Sequence, residues 1–531
     1  MLKNLLLFTI ILLASADSFS QVVDRYNYIQ KPTDTTVGVA WRTSVQAVGT
    51  IQWGTNPSNL TNTLSDPIAT SKHFYELTGL AANTHYYYQT STDAGYISAI
   101  DDFYTAKPND LSNFSFLHYG DCGYDNSVQN QIAGLMEAED AAFGVVAGDV
   151  DQGTGNNYDE VFFGVYQDIL KRSCHFTAIG NHDTYADNAA TYLDEFYLPT
   201  NNPQQSERYY SFTWGNAKFI CMDSNIPYTD GTDQYNWLVE ELKCNNQQWL
   251  FVFFHHPPWT NAWSADYYIP LTEYFLYQGN VDMRTAIVPL FEQYNVDFVL
   301  NGHSHCYQRG EMNGVKYVIS GGAGSAVIDF NTNSNSPNID TEMYINQYVR
   351  FSIQSDTASY ICVDEQGVVV DSVAALKPNW TSYTPSITII GSQLESTSGS
   401  SYAWYLDGVE ITGTNTQNYT PTANGEYEVL VTNEHGCAFW SDPIIVDFAA
   451  ISELNSNAIS IYPNPTEGLL YIEGDFNENT HILIRDTAGK EIISTTVDSQ
   501  PNVPITLQLT VAPGMYFVVV NDSSIQRIIV Q

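Results

Sequence analysis

The chain has 531 residues, and its 59 Asp and Glu against 19 Lys and Arg give a formal net charge of −40. Binding to a nucleic-acid backbone needs clustered cations, so this balance argues against nucleic acid as a partner and against docking on an anionic membrane. Hydrophobic residues make up 44% of the chain, which is enough for buried cores. The length predicts roughly three or four domains.

The N-terminus predicts a signal peptide over residues 1–20. Lys3 supplies the positive start, residues 5–14 form the apolar run, and Ser20 is a small residue before the expected cleavage. The apolar run is too short to span a bilayer, and no later segment is long and apolar enough to do so. We therefore expect an exported protein, secreted or attached to the cell surface, without a transmembrane segment.

Residues 21–108 predict an all-β sandwich. The segments 37–41 and 49–53 alternate between apolar and polar residues and are bounded by turn residues. The turn at 77–80 and the Tyr-rich strand at 84–88 resemble those of fibronectin type III domains. We expect a packing module that carries no chemistry.

Residues 111–374 predict an α/β layered domain. An apolar strand at 114–118 is followed by an amphipathic helix at 128–139 and a second strand at 142–146. Further predicted strands are 219–222, 249–254, 296–300, 315–319, 348–352 and 368–373. In open α/β folds the ligands bind at loops that follow strands. The chemistry of this chain is expected in such loops.

Five short segments of this domain carry potential ligands, and each ends a hydrophobic run. They are Gly120-Asp121-Cys122-Gly123, Gly148-Asp149, Gly180-Asn181-His182-Asp183, His255-His256-Pro257-Pro258 and Gly302-His303-Ser304-His305. Any one of them alone is weak evidence, but the ordered set is hard to obtain by chance. Carboxylate, amide and imidazole groups in this number suit two cations bridged by one carboxylate. Two metals about 3.5–4 Å apart can clamp both the attacking and the leaving oxygen of a phosphoryl transfer.

The order and identity of these segments resemble the calcineurin-like metallophosphoesterases over roughly residues 112–325. Within that family, the segment from Gly302 to Arg309 is similar to the purple acid phosphatases, which carry a Tyr two residues and an Arg four residues after the second His. The preceding fibronectin-like module and the Asp121-Cys122-Gly123 segment fit the same subfamily. The resemblance implies a β-sandwich flanked by helices.

The resemblance also implies two metal ions, which would be iron, zinc, manganese or magnesium. Asp149 would bridge them, because a carboxylate has two oxygens to share. The first ion would be held by Asp121, Asp149 and His305, and the second by Asp149, Asn181, His255 and His303.

The same resemblance assigns residues to the substrate. Asn181, His182 and Arg309 would contact the phosphate of a small phosphorylated substrate, and His182 or His256 would assist the leaving oxygen as a catalytic group. The sequence leaves open whether His255 or its neighbour His256 is the metal ligand.

One position departs from the purple acid phosphatases, which have a Tyr three residues after the bridging Asp. Here that position is Gln152. Without a phenolate ligand, we expect no charge-transfer colour and a preference for a divalent pair.

Two further β units follow. Residues 378–449, with Trp404 and Tyr427, resemble the Ig-like modules of large secreted bacterial proteins. Residues 458–531 predict a small C-terminal β-sandwich. Its Tyr-Pro-Asn-Pro opening at Tyr462 and its Arg-Ile-Ile-Val ending at Arg527 resemble the C-terminal sorting domain of the type IX secretion system of the Bacteroidetes. The secretion machinery is the partner that this resemblance implies.

The leading functional hypothesis is a secreted phosphatase that hydrolyses phosphate monoesters through a metal-activated water, without a covalent nucleophile. One alternative is a phosphodiesterase acting on nucleotides or glycerophosphodiesters, since the same kind of site cleaves both ester types. Another is a surface binding or adhesion protein with a degenerate metal site.

The seven cysteines are an odd number, so at least one is unpaired. Cys122 follows ligand Asp121, and Cys306 follows ligand His305, so their loops should converge. Two hypotheses remain open: buried thiols that pack against the strands, or a Cys122–Cys306 disulfide that ties the two loops together.

Overall fold

The structure, a computed structural model, describes residues 23–531 apart from 110, 263–278, 326–328, 330–335, 337, 448–458, 475, 477–478, 487–489, 499–502 and 522–523. The predicted signal peptide at 1–20 lies outside the described residues. The chain separates into two compact units, Met1–Ser382 and Tyr383–Gln531. Among the described residues, no helix has the length and apolar character needed to cross a membrane.

The first part of the N-terminal unit is built from strands alone. They are β1 Val23–Gln30, β2 Val37–Ala47, β3 Gly49–Gly54, β4 Asn62–Ser65, β5 Thr70–Leu77, β6 His85–Thr92 and β7 Asp101–Tyr104. They form two antiparallel sheets with the strand orders β1-β2-β5 and β4-β3-β6-β7. Buried Trp41 stacks on Tyr75 with ring centroids 5.4 Å apart. The all-β character agrees with the sequence analysis, whereas the fibronectin type III likeness stays a prediction.

The central domain of this unit alternates strands and helices. Its strands are β8 Phe114–Tyr119, β9 Phe143–Val146, β10 His175–Thr177, β11 Tyr210–Trp214, β12 Ala217–Cys221, β13 Trp249–Phe253, β14 Phe298–Asn301, β15 Tyr307–Met312, β16 Val315–Ser320, β17 Thr341–Met343, β18 Gln347–Gln354, β19 Thr357–Asp364 and β20 Val369–Leu376. Its helices are α1 Ser127–Glu137, α2 Gln167–Leu170, α3 Ala190–Glu195, α4 Asp233–Lys243, α5 Val281–Ala286 and α6 Val288–Gln293, with a π-helical turn at Asp159–Phe163 and a 3-10 turn at His182–Thr184.

These strands form two sheets that face each other. One has the order β10-β9-β8-β18-β19-β20, and the other β11-β12-β13-β14-β16-β15-β17. Phe116 lies edge-on to Phe219 at 5.1 Å and to Phe251 at 5.3 Å between ring centroids. Since Phe116 belongs to β8 and the other two rings to β12 and β13, these contacts join the two sheets. Aromatic pairs of this kind contribute about 0.5–1.5 kcal/mol each beyond the area they bury.

Helices cover the outer face of the second sheet. Successive residues of a strand point to opposite faces, so Ile220 and Val252 point away from the aromatic layer that holds Phe219 and Phe251. They pack in a separate apolar cluster with Leu238 of α4 and Phe291 of α6. The predicted β-sandwich flanked by helices is therefore present.

The N-terminal sandwich is anchored to the central domain by a buried cation. Arg25 of β1 is buried and pairs with Asp159 at 2.6 Å and with Glu195 at 2.5 Å. Its guanidinium also lies 3.6 Å from the ring centroid of Phe163. Burying a charge is costly unless it is paired, and these contacts satisfy Arg25 on both sides.

Parallel pairing brings the five predicted segments to one edge of the sandwich. Strands β8, β9 and β10 are parallel neighbours in one sheet, and β12, β13 and β14 are parallel neighbours in the other. Parallel strands end at a common edge, so the loops that follow them lie together. The five predicted segments follow β8, β9, β10, β13 and β14.

The C-terminal unit is built from strands in two groups. The first group is β21 Ile387–Ile390, β22 Gln393–Ser396, β23 Ser401–Leu406, β24 Val409–Glu410, β25 Asn418–Tyr419, β26 Gly425–Thr432, β27 Ala438–Trp440 and β28 Ile444–Val446. The second is β29 Ser460–Tyr462, β30 Leu469–Glu473, β31 Thr480–Asp486, β32 Glu491–Val497, β33 Ile505–Gln508, β34 Gly514–Val520 and β35 Ser524–Val530. Each group has its own apolar cluster, one around Trp404 and the other around Ile482. The Ig-like assignment of the first group stays a prediction.

Candidate metal centre

Four predicted ligands surround one point at the edge of the sandwich. Asn181 Oδ1 lies 2.9 Å from His255 Nε2 and 3.1 Å from His303 Nδ1. His255 Nε2 also lies 3.3 Å from Asp149 Oδ2 and 3.2 Å from His303 Nδ1. Two imidazole nitrogens this close can hydrogen-bond to each other only if one carries a proton, whereas a cation accepts both lone pairs. The arrangement fits a metal ion.

A second group of ligands adjoins the first. His305 Nε2 lies 3.5 Å from Asp121 Oδ1. Ligand atoms of Asp121, Asp149 and His255 all lie within 4.8 Å of one another, and all three residues are buried. Asp149 therefore lies between the two groups, where a carboxylate shared by two cations would be placed.

Backbone N–H groups fix the two carboxylates. The His182 N–H donates to Asp149 Oδ1 at 2.9 Å, and the His303 N–H donates to Asp121 Oδ2 at 2.8 Å. The other oxygen of each carboxylate faces the cluster. Gln152 Nε2 lies 3.3 Å from Asp121 Oδ1 and 3.4 Å from Asp149 Oδ2, so its side chain spans the two acids.

The loops adopt strained backbone conformations at ligand positions. Asp121, Asp149 and His303 have φ of 56°, 50° and 67°, in the left-handed region that non-glycine residues seldom adopt. Each such residue costs on the order of 1–3 kcal/mol, and this kind of strain is concentrated at functional sites. Gly180 is required nearby, since a Cβ there would collide with Asp149 Oδ1.

The geometry distinguishes His255 from His256. His255 Nδ1 lies 2.8 Å from the Ala147 carbonyl oxygen, which can only accept, so Nδ1 carries the proton and Nε2 faces the cluster. His256 Nδ1 instead lies 2.8 Å from Ser224 Oγ, and its ring centroid is 4.5 Å from that of His303. His255 therefore has the orientation of a ligand. His256 lies beside it, and ring nitrogens of His255, His256 and His303 also lie within 4.8 Å of one another, in a group that could hold a metal ion.

The cluster is electrostatically coupled. Burial opposes charge on both Asp149 and His255, but their mutual attraction prevails and lowers the pKa of Asp149 to about 2 while it raises the pKa of His255 to about 10. Burial and the neighbouring imidazoles hold the pKa of His303 well below its usual range. His303 is therefore neutral and has a lone pair to offer.

Asp183 is a buried residue beside the predicted ligands to which the sequence analysis gave no role. It is fully buried, and its carboxylate accepts hydrogen bonds from the N–H groups of Gly180 at 2.8 Å, Val150 at 3.3 Å and Asp151 at 3.2 Å and from the Tyr158 hydroxyl at 3.1 Å. Asp183 thus joins the loop of Asp149 to the loop of Asn181. The sequence signal for this residue was the acid at the end of the Gly-Asn-His-Asp segment.

Replacing Asp183 by alanine is expected to destabilise the fold and to lower metal content. Three buried N–H groups would lose their acceptor, at about 1–3 kcal/mol for each group that stays unsatisfied. Thermal unfolding and metal analysis of the purified variant measure both effects. The control is Asp168→Ala, an acid whose side chain is 52% exposed. An Asp183→Ala protein with the melting temperature and metal content of the control would contradict this role.

A sixth loop at the same edge was also missed. It follows β12, and its Ser224 contacts His256 as described above. Asp223 in this loop is buried and pairs with Arg208 Nη1 at 2.8 Å. The signal was an apolar run that ends in Asp-Ser at the same point as the other segments.

Arg309 is the predicted site residue that the structure does not bring into the cluster. Its Nε donates to Asp371 Oδ2 at 2.6 Å, and the Tyr307 hydroxyl donates to the same oxygen at 2.8 Å. Tyr307 and Arg309 are two apart on β15 and therefore share a face, which is turned toward β20. The expected contact between Arg309 and the phosphate is not supported by the structure.

The structure also contradicts a Cys122–Cys306 disulfide. Both residues are buried free thiols, as the alternative hypothesis held. Cys122 contacts Tyr166, whereas Cys306 contacts Gln308, so the side chains of these neighbouring loops point to different surroundings. Burial raises the pKa of both thiols well above the usual range.

A two-sheet sandwich with carboxylate, amide and imidazole groups at the ends of its parallel strands is the arrangement expected of a calcineurin-like metallophosphoesterase. The family described as Calcineurin-like phosphoesterase matches residues 114–307, and the family described as Secretion system C-terminal sorting domain matches residues 460–531. The chain therefore contains a calcineurin-like phosphoesterase domain and a C-terminal sorting domain, which indicates export and secretion or attachment to the cell surface.

Relatives and solved structures agree with this domain. Purple acid phosphatase 23 of Arabidopsis thaliana is 33% identical over 123 residues, which cover 22% of this chain and 24% of that protein. A purple acid phosphatase of Glycine max is 33% identical over 143 residues, which cover 26% of this chain and 28% of that protein. The chain thus spans about a quarter of the length of these two relatives. A purple acid phosphatase from yellow lupin (Lupinus luteus) seeds has a similar fold, with a TM-score of 0.56, 18% identity and coverage of 67% of this chain and 74% of that one.

Proposed function

We propose that this chain is a secreted phosphatase that hydrolyses phosphate monoesters with two metal ions held at the clustered loops. The observation that carries the proposal is the convergence of six ligand side chains into two groups that share Asp149. The ligand set also fits the divalent ions named in the sequence analysis, since it combines carboxylate, amide and imidazole groups and contains no thiolate.

In this proposal, the two ions share Asp149 and otherwise have different ligands. One ion would be held by Asp121, Asp149 and His305, and the other by Asp149, Asn181, His255 and His303. Asp149 Oδ1 accepts the His182 N–H, and Oδ2 is the oxygen that faces His255. When bound, such a pair supplies an activated water and offsets charge on the phosphate. That positive charge is needed, since the chain itself carries a net charge of −40.

His182 is the proposed proton donor to the leaving oxygen. Its backbone N–H is fixed on Asp149, and its ring Nδ1 lies 3.2 Å from the Gly153 carbonyl oxygen, which orients the imidazole. In the imidazolium form, Nε2 can donate a proton to the leaving oxygen. The side chain is half-buried, at the rim where a substrate enters. His256 is more enclosed and is held by Ser224, so a hydrogen bond to the phosphate suits it better.

The test is a phosphatase assay with metal removal and add-back. The full chain is stripped with a chelator, then supplied with Mn²⁺, Zn²⁺, Fe²⁺ or Mg²⁺ and assayed on an aryl phosphate monoester and the matching diester. We expect stripping to abolish hydrolysis, at least one ion to restore it, and the monoester to react faster. Full activity in the stripped protein would refute the proposal. Absence of activity with every added ion would also refute it and would favour an adhesion protein.

A phosphodiesterase is the second candidate function. The observation in its favour is a relative from Hordeum vulgare named Nucleotide pyrophosphatase/phosphodiesterase, which is 25% identical over 204 residues, covering 31% of this chain and 52% of that protein. A faster reaction with the diester in the same assay would select this alternative.

Gln152 leads to a prediction about colour. Since an amide stands where purple acid phosphatases have a tyrosinate, the iron-loaded protein should lack a strong visible absorption band. Gln152→Tyr with ferric iron should gain one, and Gln152→Phe, which adds a ring without the phenolate oxygen, should not. Visible spectra of the three proteins decide the matter. A purple wild-type protein that reductant bleaches would contradict the proposed role of this position.

A further inference from the structure

The side chain of Asn181 can serve a cation in only one of its two orientations. An amide oxygen offers lone pairs, whereas an amide NH₂ only donates hydrogen bonds. The Oδ1 atom faces His255 and His303, as described above, so the NH₂ group must face the other way. The group that accepts a hydrogen bond from this NH₂ therefore determines which end of the amide faces the metal position.

Tyr185 supplies that acceptor. Asn181 Nδ2 donates to the Tyr185 hydroxyl at 2.8 Å. The two residues are four apart across the short 3-10 turn, and the turn is closed by Thr184 Oγ1, which donates to the Asn181 carbonyl oxygen at 2.7 Å. The local backbone thus presents the Tyr185 hydroxyl to the amide.

Tyr185 lies at the rim of the cluster. Its side chain is 54% exposed, and its ring centroid is 4.7 Å from that of His182. The buried neighbours of Asn181 therefore hold the oxygen end of the amide, and an exposed tyrosine holds the nitrogen end.

We propose that Tyr185 is a positioning residue that keeps the oxygen of Asn181 turned toward His255 and His303. The inference rests on the proposed function, because it assumes that these residues bind a metal ion. Without the hydroxyl, the amide loses the acceptor that holds its NH₂ group away from the cation. Partners that orient metal ligands are typically worth about 10–100-fold in metal affinity. Only the metal position that uses Asn181 should weaken.

The test is a calorimetric titration of the stripped full chain with Mn²⁺. In Tyr185→Phe, which keeps the ring, we expect one of the two binding steps to weaken about 10-fold and the other to stay within about twofold. The matched control is Tyr104→Phe, because Tyr104 is also 54% exposed and lies in β7 of the N-terminal sandwich. The control should titrate as the wild type does.

A double-mutant cycle separates positioning from a general structural effect. If Tyr185 acts through Asn181, the change Tyr185→Phe should have no further effect on Mn²⁺ binding in an Asn181→Ala background. Three results would overturn the inference and leave the proposed function intact. Tyr185→Phe could bind Mn²⁺ as the wild type does, it could weaken both Mn²⁺-binding steps equally, or it could lose the same Mn²⁺ affinity in the wild-type and Asn181→Ala backgrounds. A wild-type protein that binds no Mn²⁺ and hydrolyses no ester would overturn both.

Discussion

Replacing Asp149 by alanine is expected to lower kcat/KM for a phosphate monoester by at least about 10³-fold. The carboxylate lies between the two groups of ligands, so its loss should weaken both metal positions together. A metal pair contributes several kcal/mol to transition-state stabilisation, and each 1.36 kcal/mol is tenfold in rate. Steady-state kinetics and metal analysis of the same preparation measure the two effects. His303→Ala should behave in the same direction, because its Nδ1 faces the Asn181 oxygen.

Loss of folding is the main competing explanation for such a result. Asp168→Ala removes an exposed acid whose partner is Lys171 and should keep wild-type activity and metal content. Asp149→Ala does not relieve the left-handed backbone, since alanine is less suited to φ of 50° than aspartate. An Asp149→Ala protein with wild-type turnover and two bound metals would show that the cluster is not the catalytic site.

Deleting residues 458–531 is expected to block delivery to the cell surface or the medium while hydrolysis is retained. The deleted segment contains the sorting domain matched at residues 460–531. All proposed metal ligands lie between Asp121 and His305, in the other compact unit of the chain. Fractionation of the native host, with hydrolysis assayed in each fraction, should show the activity moved from the outside to the periplasm.

The control for export is full-length Asp149→Ala, which lacks activity but keeps the sorting domain. Immunodetection should find this variant outside the cell in the same amount as the wild type. Normal surface delivery of the truncated chain would refute the sorting assignment, and trapping of the full-length control would show that export responds to the metal site instead.

The local pattern of the sequence determined the position of the ligand loops and of eight of the thirteen described strands of the central domain. Apolar runs predicted β8, β9, β12, β13, β14 and β16 to within two residues at either end. The Gly-Asp and Gly-Asn segments were informative because a chain that turns sharply after a buried strand needs glycine at close contacts, as at Gly180. Five strands of the central domain were not predicted: β10, β11, β15, β17 and β19. One of them, β10, precedes the loop of Asn181.

What the sequence left open depended on the direction of single side chains. His255 and His256 are adjacent and chemically identical, and only the Ala147 carbonyl beside one and Ser224 beside the other separate their roles. Arg309 has the spacing of a phosphate ligand, yet Asp371, 62 residues later in the chain, binds its guanidinium. Such partners are remote in sequence, so no local pattern reports them.

The sequence by itself therefore determined the type of chemistry, because the kinds of ligand and their placement after apolar strands are local properties. Tertiary structure alone decided which oxygen of Asp149 faces His255, that Cys122 and Cys306 stay apart, and that Asp183 holds two ligand loops together. The physical reason is that hydrogen bonds and pairs of buried charges depend on contacts between loops from different strands. Those contacts exist only once parallel pairing has brought the ends of the strands to one edge of the sandwich.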